Sequence, residues 1–316
     1  MQFLFAALLA LLGSAAAASI EKRACGDDSA TLGYAAGTTG GVGGTVTTVT
    51  TLDALTSAVS GTAKKIVYIS GTITGNTVVK VGSNTSVVGK TGSSLVGVGL
   101  RVLDESNVII RNVKISKVLA DAGDAIGVQA SHNVWIDHND LSSDLDHDKD
   151  YYDGLLDITH GVYAATVTYN KLSNHYKASL VGHSDDNGSE DTAIRVTYAY
   201  NYWSNLNSRT PSFRFGTGHL FNNYYENNQD GINTRVGAQL LVENNVWSGC
   251  KNTIYSTSSG YAVARGNDCK SFPYGNATAN SAPTGTFTTA PYSYTLLAAT
   301  AVKATVTANA GQKLSC

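Results

Sequence analysis

The chain has 316 residues, of which 15% are charged, and a formal net charge of −2. That balance supplies no basic face for a nucleic acid, so any acidic substrate has to be met by local charge. With 32 glycines, 4 prolines, a single methionine and many threonines, valines and asparagines, the composition favours strands and tight turns over helices.

In chain order, "MQFLFAALLALLGSAAAAS" opens with an apolar run of signal-peptide length followed by small residues. No later stretch is long and apolar enough to cross a bilayer. The chain is therefore expected to be secreted, with a signal peptide over 1–18, a short propeptide over 19–23 ending in the dibasic "EKR", and one domain over 24–316. Cys25, Cys250, Cys269 and Cys316 predict two disulfides in an oxidising compartment. Of the three connectivities, the local pair Cys250–Cys269 is the expected one. Sequons at Asn84, Asn187 and Asn276 fit secretion.

"TLDALTSAVSG" from 51 predicts an amphipathic helix with Asp53 near its start. Beyond it, short β-rich segments recur, each closing on a turn residue: "NVIIRNVKI" from 107, "NVWIDHNDL" from 133, "ATVTYNKL" from 165, "IRVTYAYNYW" from 194, "GHLFNNYYEN" from 218 and "AQLLVENNVW" from 238. The closing asparagines Asn112, Asn139, Asn170, Asn201, Asn223 and Asn245 stand 27, 31, 31, 22 and 22 residues apart. A coil of about 22 residues, with the surplus extruded as loops, suits a parallel β-helix whose coils stack at roughly 4.8 Å. Asparagine suits the turn because it tolerates a left-handed backbone and bonds locally, and a column of such residues can bond coil to coil. An antiparallel sandwich would carry hairpin signals, which are sparse: Asn187-Gly188 and Asp230-Gly231 are the main ones in the central region. "AATAVKATVTANAG" from 298 predicts a C-terminal helix, and both helices are expected to cover the ends or flank of the stack.

The two longest asparagine intervals, from 139 to 201, hold the densest charge, on loops that a rigid stack would fix in place. Within "HNDLSSDLDHDKDYYDGLLDITHG" from 138, the run Asp140, Asp144, Asp146, Asp148 and Asp150 reads as a solvated loop. Asp153 and Asp157 differ, because they flank "GLL" at a strand entrance and share a face. In a straight strand their Cα atoms would lie about 13 Å apart, too far to share an ion, and Gly154 is the residue that can bend the chain between them. Asp124, in "DAGDAIGV", lies one coil earlier. Three carboxylates converging from adjacent coils repel unless a cation intervenes, and oxygen ligands without a Cys or His cluster point to calcium. In "NSRTPSFRFG", Arg209 and Arg214 can serve one site only if Pro211 breaks the strand between them. Tyr151, Tyr152 and Trp203 are open either to sugar stacking or to stacking within the coils.

In that order, "NVWIDHNDL", "DYYDGLLDITHG", "HYKASLVGHSD", "SRTPSFRFGTGHLFNN" and "LLVENNVW" resemble the secreted fungal members of the pectate and pectin lyase superfamily. "GYAAGTTGGVGGTVTTVT" from 33 and "PYSYTLLAATAVKATVTANAG" from 291 resemble its two ends. The resemblance implies an all-β, right-handed, single-stranded parallel β-helix. It also implies a polysaccharide lyase of family 1 that cleaves α-1,4-polygalacturonate by β-elimination, leaving 4,5-unsaturated ends. By the same resemblance a Ca2+ cofactor is held by Asp124, Asp153 and Asp157, Lys177 and Arg214 bind substrate, and Arg209 is the catalytic base. Ala122 stands where some members carry a further acid, and the neighbouring Asp121 faces elsewhere. Asp137 and His138 belong to the family signature and are read as braces of the stack.

The expected partner is polygalacturonate of plant cell-wall pectin, with no nucleic acid and no membrane, met by a monomer. A pectin lyase, acting on methylated pectin without calcium, would replace the carboxylates and line its groove with tryptophan. A polygalacturonase would carry "NTD", "GHG" and "RIK" motifs, which are absent. A non-catalytic wall-binding β-helix would not need Lys177, Arg209 and Arg214 beside three aspartates.

Overall fold

The computed structural model describes residues 25–271 and 281–316. The signal-peptide and propeptide readings, and the sequon at Asn276, lie outside the described residues. The chain winds through about ten turns of a parallel β-helix. One face is a ten-stranded sheet running from Thr45–Val49 to Tyr261–Arg265. The other two faces share one fifteen-stranded sheet that turns a corner at Ser94–Leu103. The first half of that strand pairs with Lys114–Ser116 and its second half with Ile126–Gln129. The second face then continues through Leu156–Thr159, Leu180–Val181, Ser212–Arg214, Ile232–Arg235 and Ile254–Thr257.

Alternation along each rung sets which side chains turn inward. On the second face Leu100, Val102, Ile126, Val128, Leu156, Ile158, Val181 and Phe213 are buried in columns, while their neighbours point outward. Like stacks on like in the core: the Trp203 and Tyr225 rings lie 5.7 Å apart, and those of Tyr225 and Trp247 lie 4.8 Å apart. Each such buried side chain contributes roughly 1.5–3 kcal/mol of apolar transfer energy.

The asparagine column forms, and it bonds coil to coil. Side-chain amides donate from Asn139 to Asn170 at 2.9 Å, Asn170 to Asn201 at 3.1 Å, Asn201 to Asn223 at 3.0 Å and Asn223 to Asn245 at 2.9 Å. It extends one step further, from Asn245 to Asn267, at 3.1 Å. The left-handed backbone falls one residue before each asparagine: His138, Tyr169, Tyr200, Asn222 and Asn244 have φ of 54°, 51°, 61°, 52° and 48°. Asn112 departs from the column. It takes φ 56° itself, and its amide donates to the carbonyls of Gly89 and Leu314, pinning the C-terminal segment to the stack.

Both expected helices are present. Leu52–Ala58 starts at Thr51, whose hydroxyl accepts from the Ala54 N–H at 3.3 Å, and buries Leu55 against the first coils. Ala299–Asn309 buries Val302 and Val306 beside Tyr224 and Val246 on the flank. A third, four-residue helix, Gly188–Asp191, ends on a buried carboxylate that accepts from the Gly161 N–H at 2.9 Å.

The disulfide expectation is corrected. Cys25 is bonded to Cys316, and Cys250 and Cys269 are not bridged. Residues about one coil apart become neighbours, and the register pairs Ser248 with Ser271. The pairing begins at Val246 with Asp268, so Cys269 lies inside the paired stretch and Cys250 two residues beyond its end at Ser248. The amides of the two described sequons are already committed: Asn84 donates to the Thr62 carbonyl at 3.0 Å, and Asn187 to Glu190 at 2.8 Å and Asp191 at 3.0 Å.

Candidate active site

Residues 153–155 are irregular, and the strand Leu156–Thr159 begins only after them, so the chain bends where Gly154 stands. Asp157 projects outward between the buried Leu156 and Ile158. Asp124 reaches it from the preceding coil. Asp124 Oδ1 accepts from the Gly154 N–H at 3.0 Å, and Asp157 Oδ1 accepts from the Leu180 N–H at 2.9 Å. A Cβ on Gly154 would lie 2.5 Å from Asp157 Oδ1 and 2.8 Å from Asp124 Oδ1. Two carboxylates thus meet over a residue that has no side chain.

Their proximity is costly. Burial, and then the charges of Asp157 and Asp153, push the Asp124 carboxyl well above the usual carboxylate range. Burial also pushes Asp157 up to about 6, against the opposing pull of Arg209 and the Leu180 N–H. Asp153 turns outward, its Oδ1 3.4 Å from Lys177 Nζ, so among the described residues no three acidic or imidazole groups close around one point. The donor set still fits a calcium ion: hard carboxylate oxygens, a crowded acidic pair that a cation would relieve, and a cradle kept open by Gly154. His175 adds no charge, because burial pushes its ring down to about 4 while it bonds the Asp153 carbonyl.

The cations come from the later coils. Strands Tyr202–Ser208 and Ser212–Arg214 belong to different faces, so Pro211 does break the extended run between the two arginines. Arg209 sits in that break at φ 60°, a left-handed conformation that is unusual for a residue with a long side chain. Lys177 Nζ lies 3.4 Å from both Asp150 and Asp153, which draws Asp150 out of the loop that reads as merely solvated. Arg214 Nε pairs with Asp185 at 2.5 Å, and Arg235, in register with Arg214, binds the same carboxylate at 3.1 and 3.2 Å. Among the described residues Arg209 alone of these cations has no ion pair; its backbone N–H donates to Asp230 at 3.2 Å.

Sequence reasoning missed Asp185 and Arg235. Arg235 in "NTRVG" follows Arg214 by 21 residues, close to one coil, and that spacing is the signal that could have found it. Of the three aromatics, Trp203 is core, Tyr152 donates to Asp144 at 2.9 Å, and Tyr151 stacks on His147. Asp137 accepts from Thr168 at 2.6 Å and from His138 at 2.7 Å, and forms an ion pair with Arg111 at 3.0 Å, on the ten-stranded sheet, which is a bracing arrangement. Asp121 is exposed and outside the cluster.

A family model described as pectate lyase matches residues 2–315. The chain belongs to the pectate lyase family. It is 57% identical over 302 residues to a probable pectate lyase A of Neosartorya fischeri, covering 94% of this chain and 92% of that one. It is 55% identical over 311 residues to pectate lyase A of Aspergillus niger, covering 96% and 94%. A crystal structure of a pectate lyase from Bacillus sp. N165 in complex with trigalacturonate superposes with a TM-score of 0.77 at 33% identity, over 89% of this chain and 98% of that one. The enzyme activity is that of a pectate lyase, on the parallel β-helix of the family.

Proposed function

We propose that this pectate lyase cleaves α-1,4-linked polygalacturonate by calcium-dependent β-elimination. The convergence of Asp124 and Asp157 over Gly154, with the charges of Arg209 and Lys177 acting on Asp157, is the observation that supports the reading. Removing the C5 proton of a uronate is hard because the adjacent carboxylate is already anionic and takes on more charge as the proton leaves. The electron pair of the C5–H bond becomes the C4–C5 double bond, and the C4–O glycosidic bond breaks with its pair going to oxygen. Calcium, held by Asp124, Asp153 and Asp157, supplies neutralising charge to that carboxylate when bound. Lys177 and Arg214 add fixed positive charge from the protein.

Arg209 is assigned to the C5 proton, as the cation of the set without an ion pair among the described residues. Arginine holds its own proton tightly. Transfer to Arg209 and transfer to a hydroxide held by its guanidinium both require alkaline solution, so the rate rises with pH in either form. The trigalacturonate bound to the pectate lyase of Bacillus sp. N165 supports an oligogalacturonate ligand for this chain. The tryptophans argue against a methylated substrate: Trp203 and Trp247 are buried in the core, and Trp135 packs on Arg111 on the ten-stranded sheet. A secreted monomer, with the signal peptide at 1–18, the propeptide at 19–23 and one catalytic domain over 24–316, completes the proposal.

The test is ultraviolet absorbance of unsaturated uronate on polygalacturonate and on methylated pectin, each with and without a chelator. Product from polygalacturonate that stops on chelation and returns with calcium is expected. Chelator-insensitive cleavage of the methylated polymer, or new reducing ends without absorbance, would overturn it.

A further inference from the structure

The outward column that contains Asp157 continues towards the first coils through residues the mechanism does not use. In register along it stand Lys80, Arg101, Gly127 and Asp157. Arg101 points outward between the buried Leu100 and Val102, and Lys80 is exposed after the buried Val79. Like charges on adjacent strands in register are unfavourable unless an anion joins them. Among the described residues no carboxylate forms an ion pair with either one. Arg101 Nε is buried and has no hydrogen-bond partner.

The guanidinium leans towards the acid cluster without closing on it. Arg101 Nη2 lies 2.9 Å from the position a Cβ would take on Gly123, and Nε lies 3.9 Å from that position on Gly127. Asp124 Oδ2 is 3.2 Å from the same Gly127 position. Arg101 thus lies against two glycines beside Asp124, with no ion pair of its own among the described residues. Lys80 borders a neighbouring cleft of about 230 Å³, which Leu103, Asp104 and Glu105 also line. Leu103 is exposed there, and Glu105 is committed, its Oε2 accepting from the Ser83 N–H at 2.8 Å. From coil spacing, Arg101 stands roughly 10 Å and Lys80 roughly 14 Å along the stack from Asp157.

We propose that Arg101 and Lys80 extend the substrate groove towards the first coils and take the carboxylates of uronate residues beyond the one placed at Asp124 and Asp157. The inference deepens the polygalacturonate reading and rests on it. A polymer with one carboxylate on every sugar supplies the acceptors that the column lacks, and the exposed Leu103 offers an apolar patch beside them. The cations of the later coils hold the chain on the other side of the acids. Arg101 and Lys80 therefore determine how much the enzyme gains from a longer substrate.

The experiment compares Arg101→Met, Lys80→Met, the double variant and Arg101→Lys on purified oligogalacturonates of three to eight residues with calcium present. For the wild type, kcat/KM rises with length. Each methionine substitution should cut the ratio of hexamer to trimer kcat/KM about tenfold, through KM, the scale of one charge-assisted hydrogen bond. Arg101→Lys should restore most of the ratio. Calorimetric binding of the hexamer in an Arg209→Lys background should weaken to the same degree and show a shallower salt dependence. An unchanged ratio in a variant with the wild-type melting temperature overturns the proposal. So does an equal loss on trimer and hexamer together with a weakened calcium-induced melting shift, which would make Arg101 a partner of Asp124 instead. Lys80 is exposed, so its variant keeps the test open if Arg101→Met does not fold. A wild type that releases no unsaturated product from polygalacturonate would sink the underlying reading before any variant is compared.

Discussion

Substituting Gly154 with alanine tests whether the acidic pair forms a working centre or an incidental contact. The backbone of Gly154 is outside the left-handed region, so alanine meets no conformational penalty there and the added methyl acts only through what it touches. It would meet Asp157 Oδ1 at 2.5 Å, Asp157 Cγ at 2.8 Å and Asp124 Oδ1 at 2.8 Å. Ordinary contacts begin near 3.5 Å, so the two carboxylates have to separate by about 1 Å. Overpacking of this kind costs about 1–3 kcal/mol, and straining the Gly154 N–H bond to the Asp124 carboxylate adds to it. If half or more of that cost falls on the ligand geometry, calcium affinity drops about tenfold. The assay is initial rate of unsaturated product against calcium concentration, with circular dichroism and melting temperature as controls. A right-shifted calcium midpoint, partly recovered at high calcium, is expected on an otherwise intact fold. A wild-type midpoint and rate would refute the assignment of Asp124 and Asp157 as partners.

Other perturbations probe the frame and the chemistry. His219 is buried, bonds Tyr292 at 2.8 Å and Glu243 at 3.0 Å, and burial pushes its ring down to about 4. Its folded pKa lies below the unfolded value near 6.5, so its contribution is complete above pH 6.5 and is lost as pH falls towards 4, by up to about 3 kcal/mol. Melting temperature measured from pH 7 to 4.5 should fall, and His219→Asn should flatten that slope; an unchanged slope contradicts it. Asn201→Leu removes two side-chain donations and two acceptances in the middle of the column, leaving buried partners unmatched. A loss of about 4 kcal/mol in urea unfolding is expected, and a loss under 1 kcal/mol would show that the column is dispensable. For Arg209, activity should climb with pH across the alkaline range and Arg209→Lys should lose at least a hundredfold in kcat. An acid optimum with the lysine variant fully active would defeat the assignment.

The stack was legible because its period is written in residue types: an asparagine that must bond its counterpart one coil away recurs at the coil length. The exact backbone role of that residue was not legible, since the left-handed position is occupied by His138, Tyr169 and Tyr200 as readily as by Asn222. Gly154 could be singled out because two acids flanked it at a strand entrance, and the bend follows from the chain's need to feed that strand. Asp185 and Arg235 escaped notice because their pairing lies across coils and neither carries a local motif. The bridge between Cys25 and Cys316, 291 residues apart, escaped for a similar reason: it depends on the C-terminal segment running back to Asn112, which no nearest-neighbour argument supplies.

That bond closes the covalent chain from Cys25 to Cys316 into a ring. A protease that nicks a single surface loop between the two half-cystines produces two pieces still tethered through sulfur, so the clipped molecule keeps its mass on a non-reducing gel and separates only after thiol treatment. A second cut is then needed before any segment can leave the molecule without reduction.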